Sequence, residues 1–192
     1  MRKLCIPLLA AAALAVPAGA LAHDGDGHHR GTLARVSGTG STFAASTATA
    51  SGSIARSEKL GTGTFSASFS TDWTKAMTRT GEHGTLSCAP STATVTLTGA
   101  TASNTVSASL TGKTCTWTPK TGSAVSAFFG KGTATGAGTL ATLTGKTAKA
   151  FLVRKADGTV KGAVFAGSRD ARSLLFSEGE RRASHAAGDC GH

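Results

Sequence analysis

The chain reads as an all-β protein, an antiparallel β-barrel or β-sandwich of about eight to ten short strands. Three observations carry that reading. Apolar residues alternate with Thr and Ser at period two through several segments; those segments are interrupted by Gly, of which there are 25 in 192 residues; and no amphipathic helix is legible between residues 32 and 177. The charged fraction of 16% is too low for a coiled coil, the Gly lacks the triplet period of collagen, and four Cys are too few for a disulfide-knotted miniprotein. The length fits one domain.

Taken in order, residues 1–22 carry the pattern of a secretory signal. Arg2 and Lys3 stand at the start, an apolar run extends from Leu4 to Val16, and Ala20-Leu21-Ala22 offers a small-x-small cleavage site. Pro17 and Gly19 break the apolar run short of the roughly 20 residues a span needs, so no transmembrane segment is expected after signal removal. Residues 23–31 (HDGDGHHRG) lack any apolar residue and read as a flexible lead-in. Residues 32–177 are expected to form a single β domain, and residues 178–192 a polar tail.

Within the β domain the clearest strand is Phe65 to Trp73, where odd positions are apolar or Thr and even ones polar. Ala93, Val95 and Leu97 alternate with Thr, as Val106, Ala108 and Leu110 alternate with Ser. Joining these two runs through a turn at Ala100 to Ser103 sets Thr98 opposite Thr105 and, further out, Cys88 opposite Cys115. Parity puts Cys88 on the face opposite Val95, and a bulge at Pro90 is expected to reconcile the two. Asp157-Gly158 marks a two-residue turn that sets Phe151 opposite Val164, Val153 opposite Gly162 and Arg154 opposite Lys161. Leu174-Leu175-Phe176 forms a last strand or short helix.

Export implies an oxidising, extracellular or cell-envelope destination. Removal of residues 1–22 leaves Cys88, Cys115 and Cys190, and 18 Lys+Arg against 10 Asp+Glu, a net of +8. Cys88 with Cys115 is the expected disulfide, and Cys190 is left without a role. The dispersed excess of bases suits an anionic cell-wall polymer or polysaccharide, with Arg154 and Lys161 as the candidate anion-binding pair. The aromatics alternate with small residues on faces read as buried, which argues against specific nucleic-acid recognition.

Catalytic signals are sparse. Thr111-Gly-Lys-Thr114 and Thr144-Gly-Lys-Thr147 echo a phosphate loop, but each lacks the upstream Gly and the following helix. No Gly-x-Ser-x-Gly or His-Glu-x-x-His occurs, and Asp72 with Glu82 is a poor carboxylate pair. The favoured reading is therefore a secreted, non-catalytic binding or surface-associated module, with an enzyme of illegible site as one remaining class. The other is a metal protein. Cleavage after Ala22 would make His23 the first residue, so that its amino and imidazole nitrogens chelate one metal with His28 or His29 as a third ligand, a set suited to Cu(II). A terminal histidine of this kind resembles the copper brace of lytic polysaccharide monooxygenases and of some periplasmic copper carriers. That resemblance covers one residue and implies copper as cofactor. It leaves the oligomeric state and the ligand open.

Overall fold

A computed structural model describes residues 32–167. Nine strands follow one another: β1 Thr32–Gly40, β2 Thr47–Arg56, β3 Gly63–Thr71, β4 Met77–Gly81, β5 Gly84–Gly99, β6 Thr105–Pro119, β7 Val125–Gly136, β8 Thr147–Arg154 and β9 Thr159–Ala166. Every pairing is antiparallel. The order β3-β2-β1-β9-β8-β7-β6-β5 is closed by pairing of β3 with β5, which makes an eight-stranded barrel, and β4 adds to β5 outside the ring. Of the two expected architectures, the barrel is the one formed. Closure leaves no free edge around the ring, which is how a sheet of short, Thr-rich strands avoids edge-to-edge association.

Alternation decides the inside. Phe65, Ala67 and Phe69 of β3, Ala93, Val95 and Leu97 of β5, and Val106, Ala108 and Leu110 of β6 all face inward and are buried, as their spacing predicts. Phe69 packs between Phe43, tilted against it, and Phe128, edge-on to it, with ring centroids 4.6 and 5.2 Å away. These contacting rings crowd the bore, so positions beside them must stay small. Gly130 shows the constraint: a Cβ there would stand 2.6 Å from the Phe128 ring. Phe43, in the β1–β2 loop, closes one end, and Leu60, Leu140 and Leu143 close the other. Inward positions turn polar near the Phe43 end, where the Thr71 hydroxyl lies 2.9 Å from that of Ser91 and 3.2 Å from that of Thr114. Among the described residues no buried side-chain polar atom lacks a partner.

Two register expectations are corrected. The β5–β6 ladder runs unbroken from Gly84 opposite Pro119 to Thr98 opposite Thr105, with Cys88 opposite Cys115 as expected but no bulge at Pro90. None is needed, because the disulfide lies on the outer face, its Cα atoms 4.0 Å apart across a directly opposed pair. Pro90 sits where β5 changes partner, between Cys88, the last residue paired to β4, and Ser91, the first paired to β3. Its missing N–H therefore costs no ladder bond.

The β8–β9 hairpin forms, but its turn is one residue longer than Asp157-Gly158 alone. The Gly158 N–H donates to the Lys155 carbonyl at 3.1 Å, Lys155 N–H to Thr159 at 2.9 Å, and Gly158 has φ +86°. This is a three-residue loop with glycine in the left-handed position. Phe151 consequently faces Ala163, Leu152 faces Gly162 and Val153 faces Lys161. A shift of one residue turns a strand over. Ala150 and Leu152 of β8 point into the bore, already occupied by Phe43, Phe65, Phe69 and Phe128, and Phe151 and Val153 point out. The expected domain boundary at residue 177, the 178–192 tail and Leu174 to Phe176 lie outside the described residues, as do residues 1–31.

Candidate functional site

With the bore filled by side chains, the surface available to a ligand is the outside of the barrel, and that outside has two unlike sectors. Over much of the ring it is a carpet of hydroxyls. Thr49, Ser68, Thr94, Ser109, Thr133 and Thr147, all exposed, stand opposite one another across six successive strands.

On β4 to β9, toward the Phe43 end, the pattern changes. One row runs Met77, Cys88, Cys115, Ala127, Val153, Lys161 across β4, β5, β6, β7, β8 and β9. The row beside it runs Lys113, Phe129, Phe151, Ala163, Arg35. A third sets Arg79 against Leu86, Trp117 and Val125. Met77 at 68% and Phe129 at 37% exposure are the large apolar side chains left most open to water, and both belong to this sector. Cys115 and Ala127 are buried although they face outward, covered by larger neighbours in the rows on either side. Lysine or arginine bounds the apolar rows: Arg79 and Lys161 at row ends, Lys113 and Arg35 at both ends of the Phe129 row, and Lys131 with Lys149 next along. None of the nine strands contains Asp or Glu.

The expected anion-binding pair separates. Lys161 is exposed on the outer face, but Arg154 stands opposite Val160, which faces inward. The Arg154 Nε donates to the Gly40 carbonyl at 3.0 Å and its Nη1 to Lys155 at 3.1 Å, so this guanidinium ties the β8–β9 turn to the end of β1. Sequence reasoning missed Phe151 and Val153 as outward-facing residues because a two-residue turn sets β8 the wrong way round, and Phe129 of β7 because its neighbour Phe128 is equally apolar and the Ala127-Phe128-Phe129 run shows no alternation.

Other candidates resolve into structural roles. Asp72 pairs with Lys75 at 2.9 Å and accepts from the Thr74 hydroxyl, the largest of the effects that hold its carboxyl below the ordinary 3.8. Thr111 to Thr114 lies wholly within β6, and Thr144 to Thr147 leads into β8; neither opens a helix. His23, His28, His29 and Cys190 lie outside the described residues, and among the described residues no group of three or more His, Cys, Asp or Glu could hold a metal. No helix among them is long and apolar enough to cross a membrane. What fold and surface define is a closed, core-filled β-barrel with an asymmetric exterior. Compared with known families, curated proteins and solved structures, the chain matches no family model and no similar protein or structure is found.

Proposed function

We propose that this chain is an exported, non-catalytic β-barrel that binds anionic polymers or surfaces of the cell exterior through the outside of its wall. One observation carries the reading: seven of the nine strands bear Lys or Arg and none bears Asp or Glu. A barrel needing only solubility would intersperse both signs. The one-signed wall holds a positive potential that attracts polyanions at long range and is screened by salt within roughly 10 Å at 0.1 M. Export is supported by the signal pattern of residues 1–22 and is compatible with the Cys88–Cys115 disulfide.

The test is retention on an immobilised anionic polysaccharide such as heparin. Retention should weaken steeply as salt rises, and should fall at least tenfold in the triple variant Lys113→Glu, Lys131→Glu, Lys161→Glu. These three side chains are exposed and outward, so charge reversal leaves the core intact. Retention indifferent to salt and to the triple variant would overturn the proposal. The copper reading rests on the sequence alone, on His23 following the Ala22 site with His28 and His29 near it. N-terminal sequencing of the secreted form tests it, since a start other than His23 removes the chelate.

A further inference from the structure

We infer that the apolar sector of β4 to β9 is a docking face for an anionic lipid bilayer. The inference rests on the anion-binding reading and goes beyond it by naming the partner and the side chains that enter it. Elsewhere the barrel's outer positions are mostly Thr and Ser, but here Met77, Trp117, Val125, Phe129, Phe151 and Val153 lie together on the outer face. A hydrophilic polyanion would engage the surrounding lysines and leave Met77 and Phe129 in water. A second copy of this chain would bring Lys113, Lys131 and Lys161 against a surface equally poor in acids, where like charges repel. A bilayer with anionic headgroups supplies both kinds of partner at the right depths. Headgroups lie at the level of the lysine ammonium groups, and the acyl boundary a few ångströms deeper takes Met77 and the Phe129–Phe151 pair. Docking is peripheral, because the strands alternate apolar-in and polar-out, the reverse of strands that cross a bilayer.

The secreted form of the protein, without residues 1–22, is mixed with vesicles of phosphatidylcholine alone and of phosphatidylcholine with about 30% phosphatidylglycerol, and binding is read by flotation. The expected result is binding to the anionic vesicles, at least tenfold weaker binding to the neutral ones, and at least a tenfold loss in Met77→Ser/Phe129→Ser. Both substituted side chains are exposed, so the variant should keep the wild-type circular dichroism and thermal midpoint. In a Trp73→Phe background, emission from Trp117 should shift to the blue on addition of anionic vesicles.

Failure to float, equal flotation with neutral vesicles, or unaltered flotation of Met77→Ser/Phe129→Ser would each overturn the inference. So would a wild-type dimer that the double variant converts to monomer, which would assign the face to a second copy. Tighter, Phe129-dependent binding of a single-stranded oligonucleotide than of vesicles would also overturn it. Heparin retention separates the two readings: normal retention with any of these outcomes sinks the lipid face alone, whereas retention indifferent to the triple Lys→Glu variant sinks the anion reading beneath it.

Discussion

Asp157 illustrates how much one residue sets. Its carboxylate accepts from the Thr159 N–H at 2.8 Å, closing the turn that places β8 against β9. That backbone hydrogen bond, then the Thr159 side chain, and more weakly the charges of Lys155 and Arg154, hold its carboxyl below the ordinary 3.8. The folded value lies below the unfolded one, so the contribution to stability is present above the ordinary carboxylate range and is lost as pH falls through the depressed folded value. A carboxyl-detected NMR titration should give Asp157 a midpoint below 3.8. The thermal midpoints of the wild type and Asp157→Ala should differ at neutral pH and converge in acid. Asp157 and Gly158 were legible as a turn. Their loop length was not, because Asp-Gly serves both two- and three-residue hairpins and the choice depends on what the bore can hold. The contacting rings of Phe43, Phe69 and Phe128 set that limit, and they come from distant parts of the chain.

At the level of elements, β5 and β6 form the longest ladder, and its register was readable from alternation alone because Ala93, Val95 and Leu97 alternate with Thr while Val106, Ala108 and Leu110 alternate with Ser or Thr. The disulfide across it was readable too, and so by parity was its side; the bulge expected at Pro90 was the part that did not form. Cross-strand pairing does not require the core, and an outward disulfide is permitted wherever two cysteines oppose each other directly. Cys88→Ser/Cys115→Ser should keep the barrel, since the ladder continues for ten further pairs from Ala89 opposite Thr114 to Thr98 opposite Thr105. It should lose roughly 3 to 4 kcal/mol of stability on the loop-entropy account, read by denaturant unfolding with and without the bond. The candidate face was illegible for a different reason. Met77, Trp117, Phe129 and Phe151 sit on four different strands, and only the combined registers of the β4–β5, β5–β6, β6–β7 and β7–β8 ladders bring them to one sector.

For the whole molecule, the shortage of aromatics visible in the composition becomes a matter of bore size. An eight-stranded ring admits few rings inside, and further Phe and Trp must go to the wall or the loops. Closure also depends on β1 meeting β9, strands at opposite ends of the described chain, a pairing with a large loop-closure cost and a slow-folding signature. The same pairing sets the response of the barrel to tension. Thr32 lies opposite Phe165, so a force applied between residues 32 and 167 opens the β1–β9 seam pair by pair, like a zipper, and does not shear the ladder as a unit. The disulfide then withholds slack. The bond between Cys88 and Cys115 spans 27 positions that cannot be drawn out, so single-molecule stretching of the oxidised barrel should release roughly 90 Å less contour than the reduced one. Equal lengths in the two states would show that the crosslink is not formed in the stretched molecule.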